Sequence, residues 1–207
     1  MILSLEGVQG TGKTTAAVAL AYEEHENSGI KIISNDHLNI QDFTHFSLEW
    51  FLENLAEGSE LEDCILILDE MYQIADSRSS QTKLNKLFTY FIVQTRKRGV
   101  HLYICTHHLD HIDLRLRRAV DIRGICRCRE APCKRCRTTG KYDNKPCDRC
   151  LGYGKVGTIS INMLDRRLRR RYQLELFANR YWHLFNTKER IPMQARILQG
   201  IDTVEVG

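Results

Sequence analysis

The chain has 207 residues, of which 43% are hydrophobic and 27% are charged, and its formal net charge is +4. This length supports one domain of ordinary size with a small insertion, and the composition argues against a disordered chain. No run approaches the roughly 18 apolar residues of a membrane-spanning helix, and the first residues carry no signal-peptide pattern. We therefore expect a protein that is neither membrane-spanning nor secreted.

The small net charge hides an uneven distribution. Residues 1–112 hold 8 Lys and Arg against 16 Asp and Glu, a net charge of −8, whereas residues 113–171 hold 18 against 6, a net charge of +12. Such a separation indicates a polyanionic partner. The alternative is an ordinary solvated surface.

The first half of the chain alternates apolar runs with helix-forming segments. The predicted strands are 2–6, 30–34, 64–68 and 101–106, and the predicted helices are 14–27, 48–57 with Ser47 as N-cap, and 82–98. This order predicts parallel βαβ units with right-handed crossovers. A segment without apolar periodicity follows, and then three predicted antiparallel strands at 156–163, 171–177 and 181–185.

Residues 7–14 form a complete P-loop between a predicted strand and a predicted helix. The backbone N–H groups of such a loop converge on a β-phosphate at the positive end of the helix. Lys13 would contact the β- and γ-phosphate oxygens, and the Thr14 hydroxyl would bind Mg²⁺. We therefore predict ATP and Mg²⁺ as ligands, with the nucleotide bound by Gly7, Val8, Gln9, Gly10, Thr11, Gly12, Lys13, Thr14 and Thr15.

The apolar run 64–68 ends in Asp69 and Glu70, whose carboxylates should emerge beside the P-loop. We expect Asp69 to hold Mg²⁺ through water and Glu70 to orient and deprotonate the attacking water. The alternative for Glu70 is an acidic residue at a helix start.

The next predicted strand ends at Thr106, and His107 and His108 follow it, with His111 close by. A polar side chain at this position, such as His107, can sense the γ-phosphate. Metal binding by the three histidines and a helix start with solvated histidines are the alternatives.

The cysteines fall into two groups. Cys64 and Cys105 stand alone in apolar runs, which predicts buried thiols. Two CxxC pairs, Cys133 with Cys136 and Cys147 with Cys150, are separated by ten residues. In the absence of a secretory pattern they predict a tetrahedral Zn²⁺ site, without which so core-poor a segment would not fold.

Cys126 and Cys128 leave three interpretations open. They could supplement the zinc site, form half of a second site, or belong to a strand.

Basic side chains surround the predicted zinc ligands, and a second basic cluster lies at 166–171. With Tyr142 and Tyr153 among them, they suit contacts to the phosphates of double-stranded DNA without base readout. The alternative is a finger that only holds subunits together. The basic residues around the ligands are Arg127, Arg129, Lys134, Arg135, Arg137, Lys141, Lys145 and Arg149.

Three motifs together resemble the FtsK–HerA superfamily of DNA-pumping ATPases. They are the P-loop, the Leu-Asp-Glu sequence ending at Glu70, and residues 95–107, Thr-Arg-Lys-Arg-Gly-Val-His-Leu-Tyr-Ile-Cys-Thr-His. The chain is most similar to the zonular occludens toxin-type ATPases of filamentous phages and to the packaging ATPases of small viruses. Residues 181–187 resemble the closing strand of those proteins.

The resemblance covers residues 1–123 and about 156–190. His107 stands where the superfamily usually has glutamine, and no counterpart of the toxin-type membrane span is recognised. Residues 133–154 are similar to the CxxCxGxG modules of the DnaJ chaperone zinc region, with Thr138 in place of a glycine in the first copy.

The resemblance implies an α/β fold of the RecA/FtsK type, with a mainly parallel central sheet and antiparallel C-terminal strands. The ATPase core would comprise 1–123 and 156–207, and the zinc-finger insertion 124–155. The implied function is ATP hydrolysis coupled to DNA movement by a hexameric or pentameric ring, in the host cytoplasm or the virion, with a capsid or portal as a possible partner.

In such rings an arginine of the neighbouring subunit completes each ATP site and stabilises the transition state. The resemblance makes Arg96 and Arg98 the first candidates, and Arg115, Arg117 and Arg118 the second. Phosphate contacts to DNA and ordinary surface charge are the alternatives.

Two other functions fit parts of the sequence. Thymidine kinase-like enzymes also combine a P-loop, an Asp-Glu pair and a four-cysteine zinc site, although here Met-Tyr-Gln-Ile follows Glu70. A partner protein that binds ATP without motor activity and docks through its zinc finger is the other alternative.

Overall fold

The computed structural model describes residues 1–55, 59–70 and 83–186, with side chains for all of these except 83–85. The helices are α1 Lys13–Ser28, α2 Leu48–Glu53, α3 Lys83–Gln94 and α4 Leu114–Ala119, and single 3₁₀ turns lie at Leu109–His111 and Ala178–Arg180. The strands are β1 Ile2–Glu6, β2 Lys31–Ser34, β3 Thr44–His45, β4 Cys64–Leu68, β5 His101–Thr106, β6 Ile122–Pro132, β7 Lys141–Tyr142, β8 Lys145–Pro146, β9 Lys155–Asp165 and β10 Arg170–Phe177.

Eight of these strands form one sheet in the order β10-β9-β6-β1-β5-β4-β2-β3. The six strands from β6 to β3 in that order are parallel, whereas β9 and β10 are antiparallel to their neighbours. The predicted α/β fold with a mainly parallel sheet and antiparallel C-terminal strands is confirmed.

Helices cover both faces of the parallel part of the sheet. Every residue of β4 is therefore buried, which explains why its sequence is a continuous apolar run rather than an alternating one. On one face, α2 and α3 contribute a cluster of phenylalanines in which Phe51 stacks on Phe88 with ring centroids 4.6 Å apart. On the other face, α1 lies close to the sheet because its buried side chains are mostly alanine.

The parallel edges of the sheet bring the functional motifs together. The P-loop follows β1, Asp69 and Glu70 follow β4, and His107 follows β5. Since all these strands are parallel, their C-terminal ends meet at one edge.

Most predicted elements of the core are confirmed, including Ser47, whose side chain accepts a hydrogen bond from Trp50 N. The helix predicted at 48–57 is observed at Leu48–Glu53, and residues 56–58 lie outside the described part of the chain. The helix predicted at 82–98 ends at Gln94, earlier than expected. There the Thr95 hydroxyl donates to Ile92 O, and turns lead to Gly99, whose φ is 66°.

The strand predicted at 181–185 is wrong, and so is its interpretation as a closing strand. These residues form turns after β10, and only Phe185 makes an isolated bridge, with Leu38. Tyr181, Leu184 and Phe185 are buried, a spacing of three and four residues that belongs to a helical turn. The apolar composition was therefore a sign of burial and not of strand structure.

The strand β6 crosses position 124, where the insertion was predicted to begin. It pairs with β9 along its full length, from Ile122 opposite Asp165 to Pro132 opposite Lys155. The segment between these strands, residues 133–154, carries the four CxxC cysteines and is called the cysteine module below. It extends from the sheet at the same edge as the P-loop.

Among the described residues, no helix combines the length and the apolar character needed to span a bilayer.

Candidate functional site

The P-loop connects β1 to α1 through a turn that requires glycine at two close contacts. A Cβ on Gly12 would lie 2.7 Å from Ile159 Cδ1, and a Cβ on Gly7 would lie 3.1 Å from Cys126 O. Both glycines have positive φ, 82° and 151°. The loop is therefore pressed against β6 and β9, and its backbone can approach a phosphate closely.

The predicted lysine and threonine lie at the base of this loop. Lys13 is 7% exposed and donates from Nζ to Val8 O at 3.2 Å. The Thr14 hydroxyl donates to Asp69 Oδ2 at 2.5 Å, so the two predicted Mg²⁺ ligands are adjacent.

Asn35 holds Asp69 in position. Its side chain donates to Asp69 O and accepts from Asp69 N, both at 2.8 Å. Burial raises the pKa of the Asp69 carboxyl, because removal from water disfavours the charged form. A carboxylate and a hydroxyl are the oxygen ligands that Mg²⁺ prefers, and a buried carboxylate gains most from a nearby cation. The donor set therefore fits Mg²⁺.

Glu70 follows Asp69 with a positive φ of 51°, a conformation that is uncommon for residues other than glycine. Glu70 Oε1 lies 3.7 Å from His107 Nε2. Its Oε2 is buried and has no hydrogen-bond partner among the described residues. The structure thus brings Glu70, His107 and the P-loop to one place.

The three histidines after β5 do not converge on a common point. His108 caps the 3₁₀ turn by accepting from Asp110 N, and its ring centroid lies 5.9 Å from that of His111. In the described part of the chain, the cysteine module alone brings three or more ligating atoms within 4.8 Å of one another. A histidine metal site is therefore not supported, and the helix-start interpretation fits His108.

The two first candidates for the trans-acting arginine differ in accessibility. Arg98 is 7% exposed, and its Nη2 donates to Leu55 O within the same chain. Arg96 is exposed. Both precede β5 and lie at the opposite edge of the sheet from the P-loop, so neither contributes to the site of its own chain.

The second group of candidate arginines lies on α4. Arg115 makes a bidentate salt bridge with Asp113. Arg117 forms an ion pair with Asp110 at 2.9 Å. Arg118 is exposed.

A cleft of about 640 Å³ opens beside the P-loop, a size typical of small-molecule sites. Gly12, Lys13, Thr14, Asp69 and Glu70 are among its lining residues. The lining also includes strand and aromatic residues that the sequence did not single out as nucleotide contacts, namely Cys128, Glu130, Tyr153, Lys155, Ile159, Trp182 and Phe185.

Cys126 and Cys128 belong to a strand, one of the three open interpretations. They lie on the face of β6 that packs beneath the P-loop, and burial raises the pKa of Cys126 to about 12. Neither cysteine belongs to the group of close thiols that the described residues form. Cys126 packs in the core, whereas Cys128 is half-buried and lines the cleft.

The four remaining cysteines are buried and cluster as predicted. Cys133 Sγ lies 3.9 Å from Cys147 Sγ, and Cys136 Sγ lies 3.6 Å from Cys150 Sγ. Four thiolates around Zn²⁺ at about 2.3 Å would be about 3.8 Å apart. Their spacing therefore fits a tetrahedral zinc ion.

The two halves of the cysteine module repeat the same backbone contacts. Cys133 N donates to Gly154 O, and Cys147 N donates to Gly140 O. A Cβ on Gly140 would lie 2.2 Å from Gly152 O, and one on Gly154 would lie 2.2 Å from Thr138 O. Thr138, with φ of 69°, thus occupies the position of Gly152 in the other half.

Asn179 attaches this module to the core. The side chain is buried, donates to Cys150 O and Lys155 O, and accepts from Gly157 N at 2.7 Å. All of its hydrogen-bonding capacity is thereby directed at the module and the start of β9. Neither Asn179 nor Asn35 belongs to a recognisable sequence motif, so the sequence alone could not have identified these two residues.

Comparison with known proteins places this site in a family. The family model described as "ATPase family associated with various cellular activities (AAA)" matches residues 3–126. A search of curated protein sequences gives no significant match.

Solved structures with the same fold include two kinds of ATPase domain. The N-terminal domain of zonular occludens toxin from Neisseria meningitidis has a TM-score of 0.53 and 14% identity, covering 89% of this chain and 98% of its own. The genome packaging NTPase B204 from Sulfolobus turreted icosahedral virus 2, in complex with ATP-gammaS, has a TM-score of 0.54 and 12% identity, covering 83% and 95%. The DNA-packaging ATPase B204 from Sulfolobus turreted icosahedral virus has a TM-score of 0.52 and 14% identity, with the same coverage.

These likenesses confirm the predicted resemblance at the level of the fold. Together with the P-loop, the adjacent Thr14 and Asp69, and the family match over more than half of the sequence, they lead to one conclusion: the chain belongs to the AAA family of P-loop ATPases.

Proposed function

We propose that this protein is a Mg²⁺-dependent, ATP-hydrolysing DNA translocase of the packaging type, encoded by a virus or another mobile element. It acts as an oligomeric ring in the host cytoplasm or the virion, with a capsid or portal as its partner. The fold likeness to packaging ATPases supports this proposal. The rest of the support comes from the chain's own residues.

Hydrolysis is assigned to the residues that meet at the edge of the sheet. The P-loop amides and Lys13 bind the β- and γ-phosphates, and Thr14 with Asp69 holds Mg²⁺, which neutralises charge on the phosphates when bound. Glu70, which lines the cleft beside the P-loop, accepts the proton of the attacking water. His107, 3.7 Å from Glu70, senses the γ-phosphate.

The proposal that the protein binds DNA rests on one exposed face of β6, β9 and β10, which is called the arginine face below. By strand register it presents Arg127 beside Ser160, Arg129 beside Thr158, and Arg171 at the far end. All three arginines are exposed. Among the residues that the register places on this face between Arg123 and Arg129, Glu175 is the one acidic residue.

Arginines with small polar side chains beside them suit the phosphates of a duplex, because they contact the backbone without reading bases. A translocase needs this kind of contact, since it must move along any sequence.

The arginine that completes the neighbour's site is assigned to Arg96. It is exposed, whereas the guanidinium of Arg98 contacts Leu55 O inside its own chain. We expect Arg96→Ala to abolish most ATPase activity of the assembled ring and to leave nucleotide binding intact.

The ATPase rate with and without double-stranded DNA tests the proposal, together with the mass of the oligomer. We expect DNA to stimulate hydrolysis by the wild type. The variant with both Arg127→Ala and Arg129→Ala should lose this stimulation and keep its basal rate.

Lys97→Ala is the matched control, because Lys97 is an exposed cation outside the arginine face, at the edge of the sheet opposite the P-loop. Its DNA stimulation should equal that of the wild type. A rate indifferent to DNA would contradict translocation, and phosphoryl transfer to thymidine would favour the kinase alternative.

A further inference from the structure

The cysteine module contributes an aromatic side chain to the nucleotide cleft. Tyr153, at the end of the module, meets Trp182, from the turns after β10, edge to face with ring centroids 5.0 Å apart. Both rings line the same cleft as Gly12 and Lys13. Tyr153 is 40% exposed and Trp182 is half-buried, so these rings are accessible from the cleft and are not core packing alone.

Several contacts hold Trp182 in place. A Cβ on Gly157 would lie 2.6 Å from Trp182 Cζ2, so the indole rests on bare backbone of β9. The Lys155 ammonium lies 5.0 Å from the centre of the indole and also pairs with Glu130 at 2.6 Å. The ring is therefore preorganised, and a ligand would not have to order it.

The strand β9 connects this aromatic pair to the phosphate loop. Ile159 contacts Gly12, and Gly157, on which Trp182 rests, is two residues away on the same face of β9. Two residues of a strand span about 7 Å. A triphosphate bound by the P-loop can therefore direct its ribose and base along β9 toward Tyr153 and Trp182.

We propose that Tyr153 and Trp182 form the nucleobase subsite of the ATP site, and that the cysteine module thereby couples bound zinc to nucleotide affinity. This inference rests on the ATPase function proposed above. Stacking on an aromatic face suits any base, and the Glu130–Lys155 pair at the rim offers a carboxylate and an ammonium to the polar edge of the base.

Zinc acts on this subsite through the backbone. Tyr153 N donates to Cys150 O at 3.1 Å, and Asn179 fixes the same carbonyl. When the four cysteines lose their common metal, Tyr153 loses the turn that positions it.

Equilibrium binding of two probes tests the subsite: Mg²⁺ with ATP, and Mg²⁺ with inorganic tripolyphosphate, which has no base. We expect Trp182→Ala and Tyr153→Ala each to weaken ATP binding by about tenfold, and neither to change tripolyphosphate binding. Trp182→Phe should keep most of the ATP affinity.

Tyr142→Ala is the matched control, since Tyr142 is an exposed tyrosine of the same module that contacts Arg135 and does not line the cleft. It should bind both probes as the wild type does. Equal ATP affinity in Tyr142→Ala and Tyr153→Ala would overturn the proposal. So would a parallel loss of ATP and tripolyphosphate binding in Tyr153→Ala, because the residue would then support the P-loop and not the base.

Removal of zinc with a zinc-selective chelator provides the second arm. ATP affinity should fall and tripolyphosphate affinity should not, and added Zn²⁺ should restore the difference. An ATP affinity that is the same with and without zinc would overturn the coupling. If the wild type binds ATP in this base-dependent manner without hydrolysing it, the proposed ATPase function fails and the subsite does not.

Discussion

Glu70 is held in a left-handed backbone conformation at the mouth of the cleft. Its φ is 51°, its N–H donates to Asp69 Oδ1 at 2.9 Å, and one of its oxygens is buried without a hydrogen-bond partner among the described residues. Strain and an unsatisfied acceptor are both costly, and they persist at sites where function requires them.

We predict that Glu70→Gln lowers the turnover of ATP by about 10²- to 10⁴-fold, because the amide cannot accept a proton from water. ATP affinity should change little, since Lys13 and the P-loop are untouched. Steady-state rates and binding measurements would check both. Glu49→Gln, an exposed change on α2, should behave as the wild type, and an unchanged rate in Glu70→Gln would exclude Glu70 as the general base.

Glu6 is a buried residue that connects several elements of the structure, and no sequence motif indicated it. It is buried at the end of β1, accepts from Leu109 N at 3.1 Å, and pairs with both Nε and Nη2 of Arg123. This pair connects β1, β6 and the turn after β5 immediately before the P-loop.

We predict that Arg123→Ala lowers the free energy of unfolding by about 2–3 kcal/mol, because it leaves the buried Glu6 carboxylate without its cation. The loss should be smaller than for a fully buried pair, since 38% of the Arg123 side chain is exposed. Urea unfolding measures it. Arg127→Ala, on the same face of the same strand, should change stability by less than about 0.5 kcal/mol. Equal effects of the two variants would show that the ion pair contributes little.

At the scale of elements, β6 and β9 contribute residues to two different surfaces. Cys128, Glu130, Lys155 and Ile159 face the nucleotide cleft, while Arg127 and Arg129 lie on the opposite face. Because side chains alternate along a strand, a shift of β6 or β9 that follows nucleotide binding moves the arginine face as well.

At one left-handed position of the cysteine module, the first half has a β-branched residue where the second half has glycine. Thr138 has a φ of 69°, whereas the matching residue in the other half is Gly152, with a φ of 88°. A β-branched residue is costly in this conformation, and glycine is not.

We predict that Thr138→Gly stabilises the zinc-bound module by about 1 kcal/mol and slows loss of zinc to a chelator. Gly152→Thr should have the opposite effect, of about 1–2 kcal/mol, because backbone strain is added in a place with open space. Gly154→Ala should be much worse than either, since its Cβ would lie 2.2 Å from Thr138 O. Faster zinc loss from Thr138→Gly than from the wild type would contradict the equivalence of Thr138 and Gly152 and the strain at Thr138.

At the scale of the whole molecule, acidic and basic residues are separated along the chain. The net charge of −8 over residues 1–112 includes the carboxylates of the ATP site, and the net charge of +12 over 113–171 includes the arginine face and the cysteine module. Attraction of a duplex to the basic part should therefore depend strongly on salt.

We predict that the affinity for double-stranded DNA falls linearly with salt concentration on a logarithmic plot. Arg127→Ala and Arg129→Ala should each reduce the slope by about one, because each removes one phosphate contact. Lys97→Ala should leave the slope unchanged. A slope that is the same in the wild type and both arginine variants would place the DNA elsewhere on the molecule.

The sequence by itself determined the features that depend on residues close together in the chain. The P-loop, the Asp69-Glu70 pair, the two CxxC pairs and four of the six parallel strands were predicted, because each is encoded in short spacing or in local periodicity. The strand expected at 181–185 failed for the same reason, since a short apolar run does not distinguish a strand from a buried turn. The strands β3 and β6 were not predicted, because β3 has only two residues and β6 alternates basic residues with cysteines.

The tertiary structure alone decided which residues line the cleft together with the P-loop. Glu6 and Arg123 are 117 residues apart in the chain, and Asn179 and Cys150 are 29 apart. Such contacts follow from the order and register of the strands, which no local pattern encodes. The parallel pairing of β6 with β1 carries the cysteine module to the P-loop edge of the sheet, so that Tyr153, from a segment predicted to be a separate insertion, lines the nucleotide cleft.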